Sequence, residues 1–370
     1  MELVQIILQW GAADQLYANS ATQTLIFRLV CRQWRDCLVP PPGGSRFSFA
    51  STIALKGSLP LLQWAKSIIP PHAWDGTSCC HIAAANGYLD LLKWLKDEEG
   101  CFSSANSIAA SRGGHVETLK WLRENGCTLK VPAHSMYAAS RGDLETLKWL
   151  KDNGGSWDSD TTKAAAEEGH LEVLKWLRKN GFILGCTSAA SKGGHLELLK
   201  WLVTEGKSGF SAGCTANAAA GGHLKVLKWL KKNNCPFDHR TCANAARGGH
   251  LEVLKWAREN EITWNEEVCA NAAEGGHFEV LKWARENGCP WSANATEKAA
   301  SAGHFEILKW ARENGCLWTS RITMRASSRG HMDILRWLFA NGCKWKPDVF
   351  RFVVLAGDLE LLKTANEKEK

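Results

Sequence analysis

At 370 residues and 45% hydrophobic content the chain can bury a sizeable core, and its 22% charged fraction is ordinary for a soluble protein. The formal charge of +7, from 45 Lys and Arg against 38 Asp and Glu, is small for this length and spread over most of the chain, so charge balance alone does not point to nucleic acid. The N-terminus lacks the basic start of a signal peptide and no apolar run approaches the roughly 18 residues a membrane span needs, so the expectation is an intracellular protein, cytoplasmic or nuclear, with no membrane contact.

In chain order, residues 1–38 predict two short amphipathic helices. Leu3, Ile6, Ile7 and Trp10 fall at i, i+3, i+4 and i+7, while Leu25 with Leu29, then Val30 with Trp34 and Leu38, form a second apolar face. Pro40, Pro41, Pro42, Gly43 and Gly44 then break the chain, which sets a boundary between 1–44 and 45–370. The stretch from Leu25 to Arg35, with its core of Val30, Cys31, Arg32 and Trp34, resembles the C-terminal half of an F-box, a helical module that docks a substrate receptor onto the adaptor of cullin-based ubiquitin ligases. The resemblance implies adaptor docking through Leu3, Ile6, Ile7, Leu25, Leu29, Val30 and Trp34. It covers fewer than about forty residues, and the Leu-Pro pair that usually opens an F-box is missing. The alternative is that these helices only cap the first repeat, since repeat stacks need polar ends.

From there a repeat dominates. Tryptophans recur at Trp64, Trp94, Trp121, Trp149, Trp176, Trp201, Trp229, Trp256, Trp283, Trp310 and Trp337, most often 27 residues apart, and a twelfth unit has Thr364 in their place. Each unit parses as two helices. The second follows a Gly-His corner and carries apolar residues such as Leu251, Leu254 and Ala257, flanked by Val253 and Trp256, on one helical stripe. Its opposite face carries Glu and Lys three apart, as in Glu252 with Lys255 and Glu279 with Lys282. The first helix is short, ends in small residues such as Ala272 and Ala273, and tends to start on a capping residue after an aromatic: Asp158, Asp238, Ser292 and Thr319. The glycine between the helices stands in all twelve units, from Gly57 to Gly357, which demands a left-handed backbone there.

These features resemble the ankyrin repeat, most literally from Ser78 to Leu92, and the resemblance covers about residues 48–366. It implies an all-α, right-handed solenoid of about twelve helix-turn-helix units. Ankyrin units run to about 33 residues, so a modal length of 27 predicts a hairpin trimmed to a turn. Where ankyrin helices carry a core leucine this chain has Cys80, Thr162, Cys242, Cys269 or Thr296, and the tryptophan is expected to fill the space they leave.

No phosphate-cradling loop, nucleophile elbow or paired carboxylates are recognisable, so no enzyme, cofactor or metal is expected. The eight corner histidines, one per unit, read as hydrogen-bonding groups rather than ligands. Cys289, Cys316 and Cys343 are 27 apart, which in stacked units is roughly 8–10 Å, too far for disulfides, so reduced thiols are expected. What varies between units is the residue before the small pair: Asn217, Asn244, Asn271, Lys298 and Arg325, which by the ankyrin resemblance faces the concave surface. Arg321, Arg325 and Arg329, spaced at i, i+4 and i+8, concentrate positive charge near the C-terminal end. The expected function is binding of a protein target by a monomer, with the 1–44 segment joining it to a ligase adaptor or merely capping the stack.

Overall fold

The computed structural model describes residues 49–362 apart from 70, 101–102, 130–131, 212, 344–346 and 359. The N-terminal residues Leu3, Ile6, Ile7, Leu25, Leu29, Val30 and Trp34, and the 44/45 boundary, lie outside the described residues. The protein is all-α: among the described residues there is no strand, and eleven helix pairs are followed by the first helix of a twelfth, Pro347–Leu355. Two compact units are present, one within Met1–Ala138 and Asp143–Trp157, the other within Ala139–Gly142 and Asp158–Lys370. In each, a helix pair packs against the next chiefly through its first helix; His239–Arg247, for example, lies between Gly213–Ala220 and Glu267–Gly275.

The second helix shows why the sequence folds this way. In Leu251–Glu259, Val253, Leu254 and Ala257 are buried, while Leu251, the first residue of the helix, is only half-buried. Lys255 turns outward to Glu252 at 2.8 Å, and Lys120, Lys175, Lys200 and Lys309 pair in the same way with the Glu three residues earlier. Lys282 makes no such pair with Glu279. Each exposed pair adds only a few tenths of a kcal/mol, so the helix is held by its apolar face, where truncating one buried Leu such as Leu254 to Ala costs about 2–5 kcal/mol.

The corner glycines carry φ between 70° and 83° throughout the described repeats, the left-handed region that closes the first helix. A second demand falls on the same position. A Cβ at Gly249 would lie 2.6 Å from His277 Nδ1, and one at Gly142 equally close to His170 Nδ1, so the imidazole of the next repeat occupies the space a side chain would need. The histidine is held there by its other nitrogen. Seven imidazoles reach across to a backbone carbonyl two residues before the preceding corner glycine, among them His170 to Ser140 at 2.9 Å, His223 to Lys192 at 2.8 Å and His331 to Ser301 at 3.1 Å. The expected corner hydrogen bond is therefore a bond between repeats.

Six of the described second helices end on an Asn-Gly pair. Eight asparagines, from Asn125 to Asn341, donate Nδ2 to the carbonyl of the tryptophan four residues back, as Asn260 does to Trp256 at 2.8 Å. The following residue is left-handed, with Gly288 and Gly315 at φ 80° and 84°, but Asn234 and Glu261 hold φ 55° and 57° without a glycine's freedom.

The tryptophans correct the expectation of a fully buried indole. Only Trp256, at 9% exposure, is buried; the other ten anchors are half-buried. From Trp229 to Trp337 the anchors pack against aromatics of the loop before their own repeat, as Trp310 does edge-on with Trp291 at 5.9 Å and Trp337 with Trp318 at 5.7 Å. Arg285 and Arg312 lie over the loop indoles Trp291 and Trp318 at 4.2 and 4.3 Å. The small residues have a task of their own. Ser135, Thr187, Thr215 and Thr296 donate their hydroxyls to Ser156, Gly209, Pro236 and Leu317 carbonyls, tying the loop after each repeat to its first helix at 2.8 to 3.2 Å.

The expectation of uniformly reduced thiols needs correction at one place: ten described cysteines are free, but Cys80 is disulfide-bonded. Thiols at unlike positions of one repeat also come close enough to influence each other, Cys214 with Cys235 and Cys269 with Cys289.

These backbone demands give a paired prediction. Gly249→Ala, which must hold φ near +77° and displace His277, lowers the urea midpoint by an amount worth at least about 1–2 kcal/mol. Glu261→Gly relieves a left-handed side chain and raises stability by about 1 kcal/mol; an unchanged or lower midpoint for the latter would contradict the strain assigned to it.

Candidate functional site

All seven residues singled out for partner binding lie in the second unit, on or beside first helices. The three asparagines form a connected row. Asn217 Nδ2 donates to Ser188 O at 3.2 Å, Asn244 to Ala216 O at 3.2 Å and Asn271 to Ala243 O at 3.1 Å, each reaching the first helix of the preceding repeat. All three are half-buried, so their amides brace neighbouring helices as well as reaching the surface. Lys298 continues the row by donating to Asn271 Oδ1 at 2.6 Å and pairing with Glu274 at 2.8 Å.

Glu274 also receives Arg247 at 3.0 Å, and nearer the start of the unit Lys192 meets Glu167 of the preceding repeat at 2.6 Å. Partial burial works to raise the Glu274 carboxyl, but the hydrogen bond and charge of Lys298, with Arg247 beside it, prevail and hold it below the usual carboxylate range. These repeat-to-repeat pairs were not singled out from sequence. Their signal was there, since Arg247 and Glu274 are opposite charges 27 residues apart, one repeat length.

Arg321, Arg325 and Arg329 are placed differently. The helix between them is only Ile322–Ser327, so Arg321 is its N-cap and Arg329 lies beyond its C-cap, Ser328. All three are exposed, and among the described residues none of their side chains has a carboxylate partner. The next position of the variable row is Phe352, 39% exposed on a helix that packs beside Ile322–Ser327. Sequence reasoning missed it because the repeat pattern weakens at that end.

The buried titratable groups are those of a packed interior. Burial pushes the Cys79 and Cys242 thiols up to about 12 and those of Cys186 and Cys316 up to about 11. Within the touching pairs the shared hydrogen bond separates the partners: Cys214 falls to about 5 while Cys235 rises, and Cys289 falls while Cys269 rises. In the first unit His134 is fully buried with Nδ1 2.8 Å from Ser111 Oγ, and burial pushes its pKa down against an opposing hydrogen bond to the Thr128 backbone. Among the described residues no group of three or more His, Cys, Asp or Glu is placed to hold a metal ion, and no helix is long and apolar enough to cross a membrane.

Residues 163–203 match the family model described as "Ankyrin repeats (many copies)". That span holds most of Ser159–Glu167, the helices Leu171–Lys179 and Thr187–Lys192, and nearly all of Leu196–Thr204, with both Gly-His corners, Gly169-His170 and Gly194-His195. No curated protein matches the chain. Ankyrin repeats are protein-protein interaction modules, and the same helix pair recurs through the described chain on either side of the matched span.

His134 supplies a pH test. Its folded pKa lies below the ordinary value of about 6.5, so its neutral form stabilises the fold above that pH, and the contribution declines as pH falls below 6.5 toward the folded value. Stability between pH 7 and 5 should therefore fall with a slope of up to about 1.4 kcal/mol per pH unit from this group. In His134→Asn that part of the slope should vanish; an identical pH profile in both proteins would refute the assignment.

Proposed function

We propose that this chain is a substrate-recognition protein: the first-helix face of its repeats holds a target protein, while the 1–44 segment docks onto a ubiquitin-ligase adaptor. The reading of the face rests on one contrast. Five second helices carry the same outward Glu–Lys pair at 2.7 to 3.0 Å, whereas the first-helix row changes from Asn217, Asn244 and Asn271 to Lys298, Arg325 and Phe352. Uniform dress on one side and variable chemistry on the other is what a surface selective for one partner requires. The adaptor role is supported by the sequence Val30, Cys31, Arg32, Gln33 and Trp34; the second reading is a binding or sequestering scaffold whose N-terminal helices only cap the stack.

Two measurements test this. A photo-crosslinking amino acid placed at Asn244 or Asn271 should capture a partner protein from cell extract that one at Lys255 or Lys282 does not; equal capture from both faces removes the assignment of the face. The full chain should retain the ligase adaptor in a pull-down, and Val30→Asp with Trp34→Asp should abolish that retention. If the wild-type chain fails to retain the adaptor, or the double variant still does, the scaffold reading replaces the ligase reading.

A further inference from the structure

We infer that the C-terminal end of the first-helix face is a docking site for an acidic segment of a partner protein that also carries an apolar side chain. This rests on the protein-binding role proposed above and specifies the chemistry of the partner. The first observation is an imbalance in how charge is satisfied. In the earlier repeats of the second unit, first-helix cations are matched: Lys163 by Asp160 at 2.9 Å, Lys192 by Glu167 at 2.6 Å, Arg240 by Asp238 at 2.7 Å, and Arg247 and Lys298 both by Glu274. In the last two described repeats this stops. Arg321, Arg325, Arg329 and Arg351 are all exposed and none has a partner among the described residues.

For Arg321, Arg325 and Arg329 the sequence explains the change, since no carboxylate occurs between Glu313 and Asp333. Glu297 on the preceding repeat is buried and accepts the Thr319 hydroxyl. The guanidiniums of Arg321, Arg325 and Arg329, with no counter-charge among the described residues, create a positive field that water and salt screen only in part, and their fork geometry favours carboxylates.

The second observation is apolar surface at the same place. Met324 is 37% exposed, Phe352 39% and Leu355 75%, on two first helices that pack side by side. Phe352 occupies in its repeat the position Arg325 occupies in the one before, five residues ahead of the corner glycine, so cation and ring are neighbours in the variable row. Arg and aromatic side chains are the groups that concentrate binding energy in protein interfaces. Nucleic acid would engage the cations but leave the methionine, phenylalanine and leucine without a role, which favours a polypeptide.

The experiment selects a display library of random 12-residue peptides on the full chain, then measures the enriched peptides by fluorescence anisotropy. The expected consensus carries at least two Asp or Glu beside a Leu, Ile, Phe or Met, and binding weakens as salt rises. Arg321→Glu/Arg325→Glu/Arg329→Glu should reduce affinity at least tenfold and Phe352→Ser severalfold, while the second-helix change Lys255→Glu leaves it unaltered. Arg321→Gln/Arg325→Gln/Arg329→Gln, with thermal midpoints recorded for all variants, guards against a loss that reflects unfolding. The inference is overturned if no peptide is enriched, if the consensus is neutral or basic, if acidic peptides bind the arginine variants unchanged, or if a 20-base-pair duplex displaces them and binds more tightly. Partner capture at Asn244 or Asn271 that survives such a result would keep the binding module and remove only its acidic end; failure of that capture as well would remove both.

Discussion

The fold turns on one contact between neighbours, a corner histidine lying on the left-handed glycine of the repeat before and, in seven repeats, reaching past it to a backbone carbonyl. The two residues are mutually necessary. The glycine must lack a Cβ because its φ is positive and because the imidazole already fills that space, as at Gly249 and His277. The imidazole in turn satisfies a carbonyl near the end of a helix that has no intrahelical partner. Where histidine is replaced, the substitutes take up the position in other ways: Tyr88 lies against Gly57 with its ring, and Asp143 caps its own helix by accepting from Thr146 N at 2.9 Å.

That contact sets how closely first helices approach, and the remaining features follow from it. Ala245 and Ala246, fully buried, are small enough to permit the approach. The hydroxyls of Thr187, Thr215 and Thr296 close each repeat on itself, and the thiols of Cys127, Cys289 and Cys316 do the same from the loop side by donating to Ser103, Asn265 and Ser292 carbonyls. Short loops are possible because these polar ties replace the strand pairing that a longer hairpin would supply. With one side of each helix pair committed to this packing, variation is concentrated on the exposed positions of the first helices, where the bound protein is proposed to lie.

Much of this was legible in the sequence. A glycine present in every copy states a backbone requirement without reference to any other residue, and a tryptophan every 27 residues fixes the number and register of the copies. What escaped were features whose meaning depends on a residue one repeat away. Asn244 reads as a surface amide until its Nδ2 is seen on Ala216 O, and Thr296 reads as a small core residue until its hydroxyl is seen on Leu317 O. The indoles were assigned to the core because they share a helical stripe with leucines, but a ring of that size at the edge of the stripe meets the loop aromatics first and stays half-exposed.

Because the imidazole reads a main-chain oxygen and a missing side chain, the joint between copies is indifferent to which copies it joins. Ser140, Glu167, Lys192, Ala220 and Glu274 all serve as acceptors with equal success, since only their carbonyls are used. A gene encoding such an array can gain, lose or reorder whole units without redesigning any seam. Recognition can thus be lengthened, shortened or recombined by duplication and unequal crossing-over, with folding left intact at every step.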